Sequence, residues 1–298
     1  MTLRSRLSLL VAAALTPMVV FSVVAAVLLQ KDERDTMARD GIGRARSAMS
    51  AVDAHLRGTL LALQTLAASR TLEAGDLPAF HAEAQRVLRG QPAWVNIGLI
   101  SAQSEVLFNA VYAFGKPESL PPTDDSIANV AQGAKIGIGN VRGGTAVRSP
   151  TVRVHLPVAY GGEFRYVISA PLNLKYLDDL LQAQRLPEGW SIVLVDRKKE
   201  VIVALPAAVT GSAITPGLRE AIERSREGWS RASPAEGAAS YTAHVTSDLS
   251  GWVLAIGIPV DYVERGARRS FAIIAVGALI AFGLGVALAW LVARRIPG

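Results

Sequence analysis

Two long apolar runs bracket a segment of mixed polarity. Residues 8–29 carry no charge, and their only hydroxyls are Ser8, Thr16 and Ser22; residues 271–292 are uncharged too. At about 1.5 Å per helical residue, either run crosses the roughly 30 Å hydrocarbon core of a bilayer. The pattern predicts two transmembrane helices. A cleaved signal peptide is the competing reading of the first run. That run exceeds the usual ~7–15-residue signal core, and no small-x-small cleavage site closes it before Lys31.

Between the runs the periodicity changes. Ile42, Met49, Val52, Leu56, Leu60, Leu63 and Leu66 recur at steps of three, four and seven, which predicts a helix continuing the first span outward as a stalk. Asp76 caps a short helix with Pro78 in its first turn and Phe80, Val87 and Leu88 on one face, ended by Gly90 and Pro92. Alternating stretches follow. They predict a hairpin over Trp94–Ile100 and Glu105–Ala110, a short helix near Asp124–Gln132, a strand around Lys135–Val141, and a hairpin over Thr151–Ala159 and Phe164–Pro171 about Gly161-Gly162. Asn173 caps a linker helix bearing Leu174, Leu177, Leu180 and Leu181. A smaller module begins with Ser191–Val195 and Val201–Leu205, then a helix from Pro216 to about Glu227 and strands near Ala239–Val245 and Trp252–Pro259. The expected fold class is α+β: a long N-terminal helix and two antiparallel-sheet modules, flanked by two transmembrane helices.

Charge changes the picture less than its total suggests. The 298 residues sum to a net charge of +6, which invites a nucleic-acid reading. Yet Arg4, Arg6, Arg294 and Arg295 lie outside residues 31–270, leaving 27 of the 31 basic residues there against all 25 carboxylates. That balance has no stripe to track phosphates, so no nucleic acid is expected. The four outer arginines flank the short ends and place both termini in the cytoplasm, with residues 31–270 periplasmic or extracellular. Arg265, Arg268 and Arg269 argue the other way, but long loops cross largely regardless of charge.

The second run repeats small residues at Gly277, Ala281, Gly285 and Ala289, one helix face permitting close helix–helix approach, in a homodimer or against the first span. Zero cysteines exclude thiolate chemistry and cysteine-ligated metals. His55, His81, His155 and His244 fall in different elements without metal-ligand spacing, and no P-loop, G-x-S-x-G or H-E-x-x-H occurs. Neither metal nor cofactor is expected, and no catalysis within these residues.

The stretches "LQTLAASRTLEAGDLPAFHAEAQRVL", "WVNIGLISAQSEVLFNAVYAFG", "VRVHLPVAYGGEFRYVISAPL" and "GWSIVLVDRKKEVIVA", with the late "SGWVLAIGIP", resemble in their order a double Cache sensor, the extracytoplasmic PAS-like input of bacterial transmembrane receptors. The tail "LVARRIPG" looks like the start of a HAMP-type signal-transmitting segment. The resemblance implies a cytoplasmic N-terminus (1–7), a span (8–29), a stalk helix (31–75), a membrane-distal PAS-like module (76–185), a membrane-proximal one (186–262), a second span (271–292) and a HAMP-like start (293–298). It further implies ligand sensing in a bacterial inner membrane, most like the input of a sensor histidine kinase and part of something longer. Chemoreceptor or diguanylate cyclase inputs are the alternatives, as is a membrane-anchored protein-interaction module without a small ligand.

A two-residue Gly161-Gly162 turn would pair Pro157 with Tyr166 and His155 with Ile168, putting Arg153, His155, Phe164 and Tyr166 on one face. Arginine and histidine over an aromatic floor suit a small organic anion, since arginine binds carboxylate in bidentate fashion. The first hairpin places Asn96 opposite Asn109 near Trp94, either orienting a polar ligand or bonding each other. Tyr112, Lys116 and Arg148 lie in loops that close over the site. Relatives that bind amino acids hold the ligand amine with an acidic residue late in the fifth strand; here "ISAPL" offers Ala170 instead, which favours a carboxylate or neutral metabolite.

Overall fold

The structure, a computed structural model, describes residues 3–115, 130, 136–142, 150–208, 210–232, 240–263 and part of 272–287, without most side chains of residues 3–30. It divides into two compact units, residues 1–40 with 258–298, and residues 41–257. Helix α1 runs unbroken from Leu3 to Ala67 with Pro17 inside it. Among the described residues, no helix is long and apolar enough to cross a membrane. Most side chains of the run 8–29 and much of the run 271–292 fall outside them.

In the unit of residues 41–257, α1 presents a buried stripe of Ala45, Ala48, Met49, Val52, Leu56, Leu60, Leu63 and Leu66. This is the helical periodicity of the sequence, and each leucine so buried stabilises by roughly 1.5–3 kcal/mol. The stalk stops earlier than residue 75, because Ser69 starts a new helix, α2 (Arg70–Glu73), by accepting the Thr71 N–H. Gly75, at φ +75°, then supplies the left-handed turn. Asp76 caps α3 (Leu77–Arg89) as expected, accepting the Ala79 N–H.

The first sheet contains β1 (Gly98–Ser101), β2 (Val106–Asn109), β3 (Gly137–Ile138), β4 (Thr151–Tyr160) and β5 (Glu163–Asn173), in the order β2-β1-β5-β4-β3. Helix α4 (Leu174–Gln182), capped by Asn173, leads to the second sheet. That sheet holds β6 (Ser191–Val195), β7 (Val201–Leu205), β8 (Glu227–Ala232), β9 (Ser240–Thr246) and β10 (Val253–Pro259), with α5 (Pro216–Arg224) inserted between β7 and β8. Its order, β7-β6-β10-β9-β8, repeats that of the first sheet.

Strand β8 had no counterpart in the expected layout, which carried the preceding helix to Glu227. The helix stops at Arg224, and Glu227–Ala232 forms the outer strand along β9. With Trp229 its one large apolar residue, this edge strand gives little alternating signal. The helix near Asp124–Gln132 lies, apart from Val130, outside the described residues.

Helix α1 is tied to both sheets. Arg46 reaches Glu227 at 2.7 Å and Asp53 accepts the Ser247 hydroxyl at 2.7 Å, both on the second sheet's side. Further along, Thr59 accepts the Trp94 Nε1–H at 3.3 Å and the Ala67 carbonyl accepts the Tyr160 hydroxyl at 2.7 Å, on the side of the first. Burial, aided by the nearby Glu73 carboxylate, raises the Tyr160 phenol above its ordinary pKa.

Candidate functional site

The two faces of the first sheet differ in chemistry. Along β4, Val152, Val154, Leu156 and Val158 point to one side and are buried. Tyr160 shares their parity and bonds α1, so this is the face that α1 covers. Arg153 and His155 point to the other side, Arg153 half-buried and His155 fully buried. With His155 fully buried, solvent does not reach this part of the face.

Register places His155 in a row that crosses the whole sheet. Asn109 on β2 pairs with Gly98 on β1, Gly98 with Ser169 on β5, Ser169 with His155 on β4, and His155 with Gly137 on β3. Asn109, Ser169 and His155 are all buried, so three polar side chains and two glycines line one strip. To one side of the strip, on the same face, stands Arg153. To the other lies an apolar cluster of Ile100, Val167 and Val130, with Val106 and Phe164 packed against it. The floor is therefore graded: cationic, then polar, then apolar. Gly98 keeps the strip low, for a Cβ there would meet Asn109 Oδ1 at 3.2 Å. Ser169 and Gly98 were not singled out in the sequence; correct strand register would have found both.

The expected register of the second hairpin is corrected by one residue. Tyr160 pairs with Glu163 across Gly161-Gly162 as a two-residue turn requires, but the pairing shifts between Val158 and Ala159, leaving Arg165 as an extra residue. Pro157 therefore pairs with Val167 and His155 with Ser169, and Tyr166 falls opposite Val158 on the α1 side. Tyr166 does not join Arg153 and His155; Phe164 does share their face. The same count turns Ala170 towards α1, so its small side chain says nothing about the site. Among the described residues of the site face no carboxylate is present.

Other candidates scatter. Asn96 does meet Asn109, donating from Nδ2 to Oδ1 at 2.8 Å, while its own Oδ1 accepts the Val111 N–H at 3.3 Å. The strand partner of Asn109 is Gly98, however, so the amides lock the end of the β1–β2 hairpin. Trp94 bridges Leu172 and bonds Thr59, on the α1 side. Tyr112 follows β2, its carbonyl accepting His81 Nε2–H at 2.9 Å. Arg148 and Lys116 lie outside the described residues. In the other unit, Gly277 is exposed and Ala281 and Gly285 half-buried, and Ala289 lies outside the described residues. An open depression of about 340 Å³ beside the second sheet is lined by Leu181, Trp190, Leu205 and Pro206. Its polar lining residues Gln182, Arg185 and Glu188 are exposed, so nothing polar converges there.

Solved structures similar to this chain include sensory domains. The extracellular domain of rpHK1S-Z16, described as a histidine kinase, superposes with a TM-score of 0.64 at 16% identity, covering 76% of this chain and 97% of that one. The ligand-binding domain of the Pseudomonas fluorescens chemoreceptor CtaA, in complex with L-isoleucine, gives 0.62 at 13% identity over 79% and 97%. The chain shares the fold of these domains. The sensory domain of the Campylobacter jejuni chemoreceptor Tlp3 with isoleucine bound gives 0.58 at 10% identity over 79% and 97%. No family model and no curated protein matches the sequence.

Proposed function

We propose that this protein is the extracytoplasmic sensing input of a bacterial transmembrane receptor, with its ligand seated on the first sheet. The supporting observation is the buried row Asn109–Ser169–His155 beside Arg153, on the sheet face that α1 leaves uncovered. Arg153 engages a carboxylate, His155 and Ser169 hold polar groups beside it, and Ile100, Val167 and Phe164 take a short apolar tail. A small organic anion fits this gradient better than an amino acid, because the described part of the face offers no carboxylate to an ammonium group. In this reading the first sheet is membrane-distal (76–185) and the second membrane-proximal (186–262). The runs 8–29 and 271–292 cross the inner membrane, both termini are cytoplasmic, and the receptor is a homodimer that feeds a histidine kinase. Large apolar side chains left exposed at Phe21, Val24, Leu28, Ile273, Leu279 and Leu284 support membrane burial. The amino-acid-bound chemoreceptors of similar fold support a chemoreceptor input as the second reading.

A thermal-shift screen of small carboxylates on the full chain in detergent tests the site. A ligand at a hundred times its Kd stabilises by about 2.7 kcal/mol, a shift of a few degrees. Arg153→Ala is expected to abolish the shift. Stabilisation that survives both Arg153→Ala and His155→Ala refutes the assignment.

A further inference from the structure

Strand β3 is the outer strand of the first sheet, and an open edge leaves backbone groups to be satisfied by other means. Its pairing with β4 is irregular. Gly137 faces His155 and Ile138 faces Val154, but Arg142 faces Thr151, so the stretch 139–141 holds one residue more than the β4 stretch opposite. Such a bulge bends the strand and leaves the extra residue unpaired.

Side chains from the second sheet take up the backbone there. The Arg197 guanidinium donates to the Ile138 carbonyl. Trp252 Nε1–H donates to the Gly139 carbonyl at 3.3 Å, and the Val141 N–H donates to Asp196 Oδ2 at 3.0 Å. Asp196 and Trp252 are both fully buried. Asp196 is held rigidly by its own turn, its Oδ1 accepting the Lys198 N–H at 2.8 Å and the Glu200 N–H at 3.0 Å.

Beyond Trp252 the contacts branch. Trp252 directly precedes β10, and its carbonyl accepts the Ser247 N–H at 2.8 Å. Ser247 in turn donates its hydroxyl to Asp53 of α1 at 2.7 Å. A continuous path therefore leads from β4, which carries Arg153 and His155, through β3 to both α1 and β10.

We infer that the β3 bulge is the relay by which the Arg153–His155 face of the first sheet is coupled to α1 and β10, with Asp196, Trp252 and Ser247 as positioning residues. This rests on the sensor reading for what displaces β4. The coupling itself is a property of the protein without ligand, because a path that transmits must respond to perturbation at either end.

The test is site-resolved hydrogen exchange on the full chain in detergent micelles. Arg153→Ala perturbs β4 from the site side and is expected to speed exchange at the Val141 and Ser247 amides about tenfold, the scale of one weakened hydrogen bond. Trp252→Phe keeps a ring but removes the donor. In that background Arg153→Ala is expected still to change Val141 and no longer Ser247, a non-additivity that a merely structural tryptophan would not produce. An Arg153→Ala variant that leaves Ser247 unchanged overturns the relay, as does an effect that passes undiminished through Trp252→Phe. Should Trp252→Phe fail to fold, Arg153→Ala alone decides: faster exchange at both the Val141 and Ser247 amides is expected, and an unchanged Ser247 amide overturns the relay. Since no ligand enters, failure here is distinguishable from failure of the carboxylate screen.

Discussion

The two sheets share one strand order but cover their helix-distant faces differently. In the second sheet, α5 lays Leu218 and Ile222 on Val195, Val253 and Ala255, with Val193 and Ile214 packed around them. Among the described residues, the corresponding face of the first sheet carries Asn109, Ser169, His155 and Arg153, with an apolar cluster at one end. One insertion, between β7 and β8, seals its sheet with hydrocarbon. The topology thus builds one frame twice, and the residues on one face decide whether it carries a polar row or a hydrocarbon core.

The largest expected effect strikes the sealed face. Leu218→Ala removes the centre of the α5 contact and should cost about 2–4 kcal/mol, read as a lower urea midpoint with unchanged slope. A loss as small as that of a surface substitution would dissolve the contrast. Glycines sharpen it next. Gly228→Ala brings a Cβ to 2.9 Å from His244 Cε1, and since His244 is buried and donates to the Ser225 carbonyl at 3.0 Å, the ring has little room. A cost of about 1–3 kcal/mol is expected. Gly98→Ala, by contrast, adds a methyl to the polar strip against one amide oxygen. It should leave stability within about 1 kcal/mol while weakening carboxylate binding at least tenfold by titration.

A smaller effect is expected where the two regions meet on α1. His55 lies between the Asp53 and Thr59 tethers and stacks on Tyr176 of α4 at 4.5 Å. Burial lowers its pKa below the ordinary imidazole range. The unfolded chain therefore binds the proton more readily, so stability is complete above about pH 6.5 and declines as pH falls below it. His55→Gln should flatten that part of the melting-temperature profile; an unchanged profile would remove His55 as its source. Least of all, Arg46→Ala breaks an exposed pair with Glu227 and should leave the urea midpoint unchanged within scatter.

Periodic and capping residues made much of this frame legible beforehand. The leucine stripe of α1, the Asp76 and Asn173 caps, and strands β6 and β7 follow from spacing and local hydrogen bonding. Register was not legible, because the Arg165 bulge depends on packing and carries no local mark. That one residue moved Tyr166 and Ala170 to the α1 side and brought Ser169 to His155. Nor did the sequence mark Asp196: an aspartate in a hairpin turn reads as a turn former, and its bond to Val141 joins residues 55 positions apart.

A single unbroken helix carrying two sheets has a consequence for tolerated changes in length. Asp53 serves the second sheet and Thr59 the first, and each helical residue advances the surface by about 100° and 1.5 Å. Inserting one residue near Arg57 would swing one set of tethers a quarter-turn out of phase with the other. Inserting seven would return them almost to their original azimuth, about 10 Å further apart. The helix therefore acts as a keyed shaft, on which the number of residues between the two sheets is constrained more tightly than their identity.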